Sequence, residues 1–210
     1  MRKPARKVKK SAVKNIVRFP PIKSNNGKTI LLESILESKY CLHLEYDPNV
    51  VSYFPQPKTF TFTDDDGVEN TYTPDFEVQY LSGSRVYIEV KPDEYVSSVH
   101  YQHKFSSFTA FLQNTNQSFL VVDEFDIYQR PLLSNFEKLY QYRKRPTLDM
   151  RNLHKCASKM GISMPLATLI DRLGLQAQLR EIYSWLALGF LDFDMRSEEL
   201  SLETEVRFNV

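Results

Sequence analysis

Thr71-Tyr-Thr-Pro-Asp-Phe-Glu-Val-Gln-Tyr80, Leu81-Ser-Gly-Ser84 and Arg85-Val-Tyr-Ile-Glu-Val-Lys-Pro92 run on without interruption. The last eight residues alternate. Val86, Ile88 and Val90 fall on one face of a strand, and Tyr87, Glu89 and Lys91 on the other. Thr71 to Tyr80, with Pro74-Asp75 inside it, is expected as the hairpin partner of Lys58 to Thr63, and Ser82-Gly83-Ser84 turns the chain again so that it can also pair with Arg85 to Val90. Paired in this way, Asp75 would meet Glu89 and Lys91 at one strand end. Charges gathered there need a reason, because an unpaired buried charge is costly. A hard divalent cation supplies one, since Mg2+ takes oxygen ligands from a few carboxylates and leaves room for phosphate and water.

Outward from this stretch the pattern is α-β-β-β-α-β. Leu32, Ile35, Leu36, Lys39, Leu42 and His43 recur at helical spacing, and the expected helix starts near Thr29 and stops at Asp47-Pro48-Asn49. Glu37 sits one residue off its apolar seam, placed to join Asp75 and Glu89. Val50 to Phe54 and Lys58 to Thr63 read as strands, and Asp64-Asp65-Asp66-Gly67 as a solvated hairpin turn, without the later ligands of a calcium loop. A helix to about Gln113 and the apolar run Phe119 to Val122 complete a mixed sheet flanked by helices. Leu132 to Tyr142 is a further helix, closed by Arg143-Lys-Arg-Pro146. Beyond it, three short helical patterns (about 147–160, 164–173 and 176–188) and two strands (190–195 and 203–208) suggest a small winged-helix-like domain. The expected division is a basic arm at 1–28, an α/β domain at 29–145 and the small domain at 146–210.

The chain of 210 residues carries a net charge of +1 that hides an asymmetry. Residues 1–32 hold ten Lys/Arg and no acid, leaving 17 bases against all 26 acids, a net of −9. A basic arm on an acidic body is a nucleic-acid layout. The candidate DNA contacts are Arg2, Lys3, Arg6, Lys7, Lys9, Lys10, Lys14 and Arg18 in the arm, with Lys104 on the helix after the Glu-x-Lys strand. Two distant cysteines, Cys41 and Cys156, exclude a disulfide scaffold and suit a reducing cytosol. The longest apolar run, Trp185 to Leu191, is too short to span a bilayer, and no secretory signal is visible.

Glu on a leading helix, Pro-Asp, and Glu-x-Lys behind a hairpin form the PD-(D/E)xK arrangement of restriction-endonuclease-like nucleases. Together with Glu33-Ser-Ile-Leu-Glu37, Asp47-Pro-Asn-Val50, Gln56-Pro57, Tyr72-Thr-Pro-Asp-Phe76 and Tyr87-Ile-Glu-Val-Lys-Pro92, it resembles the TnsA endonuclease family. These are subunits of heteromeric cut-and-paste transposases of the Tn-seven type. The likeness covers about residues 15–125, and more weakly the small domain through Leu186 to Phe193. The resemblance implies a restriction-endonuclease-like fold and a catalytic set of Glu37, Asp75, Glu89 and Lys91. On that reading one or two Mg2+ ions, replaceable by Mn2+, sit on Glu37, Asp75, Glu89 and the Val90 carbonyl. It implies cleavage at the 5′ ends of a transposon in double-stranded DNA, beside a TnsB-type transposase. A TnsC-type AAA+ regulator would dock on the C-terminal domain, in a bacterial cytoplasm with no membrane. Two alternatives stay open at this point: a stand-alone restriction or repair nuclease of the same fold, and a non-catalytic DNA-binding adaptor.

Other residues carry less. Glu77 shares the face of Asp75, with a surface role expected. His100 and His103, three apart on a helix, lack the further ligands that zinc requires. Gln56 has no assigned role. Cys41 and Trp185 are expected in the cores of their domains.

Overall fold

The computed structural model describes residues 3–5, 16–64, 67–113, 115, 117–160 and 163–209. The chain divides into two compact units, Met1–Tyr128 and Gln129–Val210.

The first unit runs β1 (Val17–Phe19), β2 (Ile30–Leu32), α1 (Ile35–Tyr46), β3 (Val50–Pro55), β4 (Phe60–Thr63), β5 (Glu69–Tyr72), β6 (Phe76–Tyr80), β7 (Arg85–Val90), α2 (Asp93–Val96), α3 (Val99–Leu112), β8 (Gln117–Val122) and α4 (Glu124–Ile127). Its central sheet has the order β3-β6-β7-β8. The first two pairings are antiparallel and β7-β8 is parallel, the crossover being carried by α3. This is the mixed sheet expected of a restriction-endonuclease-like domain.

Strand alternation divides the apolar residues between the two faces of that sheet. Phe76, paired with Ile88, meets Tyr40 of α1 at 5.9 Å between ring centroids. Tyr87, one residue on, points the other way, into a cluster with Phe60, Phe62, Tyr72, Phe105, Phe108 and Leu112. Phe108 lies at its centre, 4.5 Å from Tyr72 and 5.0 Å from Phe60. Most of these contacts are edge-on or tilted, as the ring quadrupole favours. The cluster fastens the β4-β5 hairpin onto α3 and β7.

Three expectations are corrected in this unit. Residues 16–28 are not arm, because β1 pairs with β2 in register Val17 with Leu32 and Phe19 with Ile30. The loop between them docks on α1: the buried Glu45 Oε1 accepts from the Ile22 and Lys23 amides and the Tyr53 hydroxyl. The leading helix starts at Ile35 rather than Thr29, since Ser34 caps it by accepting from the Glu37 amide at 3.0 Å. Residues 71–80 are not one strand. Pro74 has no N–H to give a ladder, so β5 ends at Tyr72 and β6 starts at Phe76, with Asp75 in the break. The turn at Asp64 is as expected: its carboxylate accepts from the Val68 amide and the Asn70 side chain, while Asp65 and Asp66 lie outside the described residues.

The second unit runs α5 (Leu132–Lys144), α6 (Met150–Ala157), β9 (Met164–Pro165), α7 (Leu166–Leu173), α8 (Leu179–Leu188), β10 (Leu191–Asp192) and β11 (Glu205–Phe208). The division falls at 128/129 rather than 145/146. Helix α5 belongs here because it packs on α8 and buries Leu132, Leu133, Phe136, Leu139 and Tyr140. The expected two-stranded ribbon is a three-stranded antiparallel sheet of order β10-β11-β9. The added strand is two residues long and ends in proline, too short for alternation to show. Trp185 is fully buried, 5.8 Å from the Phe208 ring, and Cys156 is buried.

Candidate active site

Asp75, Glu89 and Lys91 meet where β6 begins and β7 ends. Lys91 Nζ lies 2.7 Å from Glu89 Oε1 and 3.7 Å from Asp75 Oδ2. Asp75 Oδ2 also accepts from the Val90 amide at 2.9 Å. Both carboxylates are buried, at 4% and 5% exposure, so their charges cannot be dismissed as a solvated surface ladder. Around them lies a cavity of about 700 Å3, lined among others by Glu37, Tyr72, Tyr101 and Lys104.

The electrostatics follow from two anions and one cation in a dry setting. Burial, and then the charge of Glu89, raise the Asp75 carboxyl well above its ordinary value. Burial alone would lower Lys91, but the charges of Asp75 and Glu89 outweigh it and hold the ammonium above its ordinary value. Lys91 therefore stays protonated at neutral pH. It can stabilise negative charge but cannot take a proton from water. The Tyr72 hydroxyl is raised by burial and then by Glu89.

Glu37 stands on the cavity wall in a different role. Its Oε2 accepts from the Glu33 amide at 3.0 Å and its Oε1 from the Ser34 hydroxyl at 2.9 Å, so the carboxylate closes the start of α1. Burial raises it above its ordinary value. The Val90 residue meets Asp75 through its N–H.

Residues 47–124 match the family model of the TnsA-like endonuclease N-terminal domain. That stretch of the first unit is TnsA-like. The matched stretch of this TnsA-like domain contains Asp75, Glu89 and Lys91, and Glu37 precedes it. No curated protein matches the chain.

The residues of the TnsA-like site suit a hard divalent cation. Two buried carboxylates, the oxygen donors such an ion takes, line one cavity. Among the described residues, no three His, Cys, Asp or Glu side chains close on one point as a ready-made metal cluster. Asp75 and Glu89 are the residues that would hold such an ion, and Lys91 is their counterion.

The DNA candidates divide. Lys104 lines the cavity, its Nζ 4.9 Å from the Tyr72 ring centroid. Arg18 is exposed on β1 and Lys3 is exposed. Arg2, Arg6, Lys7, Lys9, Lys10 and Lys14 lie outside the described residues. His100 and His103 line a neighbouring groove with Asp64, Glu69 and Lys104. Glu77 is buried 3.9 Å from Arg85 Nε, away from the Asp75 cavity. Sequence reading missed Tyr72 as a site residue. The available signal was its place three residues ahead of Asp75, on the hairpin strand that leads into the break. Among the described residues, no helix is long and apolar enough to cross a membrane.

Proposed function

We propose that this chain is the metal-dependent DNA endonuclease subunit of a transposase, cutting phosphodiester bonds at the 5′ ends of a transposon during cut-and-paste transposition. The observation that carries the reading is the pair of buried carboxylates closed by a protonated lysine, inside a TnsA-like stretch and open to a cavity that admits a phosphate. Asp75 and Glu89 would hold Mg2+, or Mn2+ in its place, with Glu37 and the Val90 carbonyl as further candidates for one or two ions. When bound, the ion supplies a lowered water pKa and a Lewis acid toward the phosphate. Lys91 lies where it can neutralise charge developing on the phosphate oxygens. Lys104 would steer the strand into the cavity, and Lys3, Arg18 and the arm bases would track phosphates.

The second unit is assigned a protein-binding role. From α6 onward its helix–strand–helix–helix–strand–strand order supports a winged-helix-like reading. Residues 147–210 carry seven Lys/Arg against nine Asp/Glu, a net of −2, poor for a groove-reading helix. A TnsC-type AAA+ regulator is the proposed partner there, with a TnsB-type transposase acting on the same DNA in a bacterial cytoplasm.

Asp75→Ala and Lys91→Ala should each lower nicking of transposon-end DNA at least about 100-fold, the loss usual when one charge-stabilising group is removed. The assay contains Mg2+ and the companion transposase, with circular dichroism to confirm folding. Wild-type cleavage by either variant would remove the assignment.

A further inference from the structure

Gln56 lies between Pro55 and Pro57 and has a φ of +46°. Among the described residues, the other non-glycine positions with positive φ are Asn25 and Asn26, a residue type that enters this region readily. Gln does so at a cost, and a residue ahead of a proline is ordinarily pushed to extended backbone. Both local preferences oppose the observed conformation, so the surrounding structure must impose it.

Its main chain shows what the conformation achieves. The Gln56 N–H donates to the Asp75 carbonyl at 2.7 Å, and the Gln56 carbonyl accepts from the Ala5 amide at 2.9 Å. Asp75 is thereby held from two sides. The end of β3 grips its carbonyl, and the Val90 amide of β7 grips its carboxylate. Without the first bond, the break between β5 and β6 would have one fewer anchor at the residue that must aim its carboxylate. The Gln56 side chain offers no competing explanation, because it is buried and neither amide atom has a hydrogen-bond partner. A buried amide left unpaired opposes folding rather than favouring this backbone.

We propose that Gln56 is a positioning residue. Its left-handed main chain sets Asp75, and its amide side chain is dispensable. The proposal rests on the role given to Asp75 above. It separates backbone from side chain, so it is tested by a pair of variants that both lack the amide and differ in how they tolerate a positive φ. In the full-length chain, Gln56→Gly permits the left-handed conformation freely, whereas the β-branched Gln56→Val resists it more than glutamine does.

The expected kcat for nicking is within about threefold of wild type for Gly and about tenfold lower for Val than for Gly, the factor set by the left-handed penalty of a β-branched side chain. Affinity for the same DNA in Ca2+ should stay constant across the series. Metal-free hydrogen exchange supplies the second readout. The residue 56 amide should be protected in wild type and Gly and should exchange faster in Val. Equal and full activity of Gly and Val would overturn the proposal, as would equal and complete loss in both, which would assign the role to the side chain. An unprotected amide in wild type would also overturn it. If the wild-type chain fails to nick DNA while the exchange pattern holds, the positioning of Asp75 stands and the nuclease reading falls.

Discussion

Buried polar groups are handled in opposite ways in the two units. In the C-terminal unit Asn135 is fully buried and fully employed: Nδ2 donates to the Met195 and Glu198 carbonyls and Oδ1 accepts from the Leu200 amide. It clips residues 195–200 to α5 with neutral partners. In the first unit Asp75 and Glu89 are also buried, yet they line one cavity and share a single lysine. A satisfied buried amide stabilises a fold. Two buried carboxylates with a single cation are an arrangement that stability alone would not select. The contrast separates polarity kept for architecture from polarity kept for chemistry, and mutations can press on each side of it.

The largest stability loss should come from the architectural side. Asn135→Ala removes three hydrogen bonds and strands the Leu200 amide, costing about 3 kcal/mol by the usual magnitude per bond. Denaturant unfolding of the full chain measures it. Nicking at a temperature where the variant is folded should stay within about twofold of wild type, since this contact lies outside the catalytic cavity. A stable variant that has lost cleavage would erase the distinction drawn between the units.

A smaller loss is expected at the chemical side. Lys91→Met leaves two buried carboxylates without their cation; because the lysine side chain is 25% exposed, the cost should fall below the roughly 3–5 kcal/mol of a fully buried pair, to about 2 kcal/mol. Adding Glu89→Gln removes the remaining repulsion and should recover most of that loss without restoring any cleavage. A double-mutant cycle read by thermal unfolding tests this. Additive losses would mean that Lys91 and Glu89 act independently, against their 2.7 Å contact.

The smallest effect concerns pH. Asp75 is held well above its ordinary value, so the folded chain binds a proton that the unfolded chain has already released. This contribution to stability is present at acid pH and is lost as pH rises from about 4 through the folded-state value. Asp75→Asn is neutral throughout. In metal-free buffer, its stability advantage over wild type should therefore widen from pH 4 to pH 8. A constant or shrinking gap would mean that Asp75 ionises without strain in the folded state.

Much of the nuclease sheet was readable from alternation. Val86, Ile88 and Val90 against Tyr87 and Glu89 place β7 and its faces, and Glu-x-Lys at its end places the charge cluster. The break at Thr73 to Asp75 was not, because β-rich sequence continues on both sides of a single proline. The β1-β2 pairing escaped as well. Each strand has three residues and their partners lie up to fifteen positions apart, beyond any local periodicity. Glu37 was placed correctly on the leading helix, but Ser34-x-x-Glu37 carries a capping signal that competes with a ligand role for the same carboxylate. The unit boundary was misplaced because Arg143-Lys-Arg-Pro146 looks like a linker, although Arg143 donates to the Ala187 carbonyl within the second unit. In each case long-range packing decided what neighbouring residues left open.

Lys91 has a consequence for the order in which the protein is assembled. A site of bare carboxylates would have to recruit its cation while folding, as small zinc domains do. Here the chain brings its own positive charge to Asp75 and Glu89, 25% exposed at the side chain and already in contact with both. On the proposed activity, folding and metal loading would thereby be uncoupled. Newly made chains would mature without the ion, and a chelator would switch off cutting without unmaking the fold. For a chain that cuts DNA, a folded but unloaded state would be a safe form in which to wait.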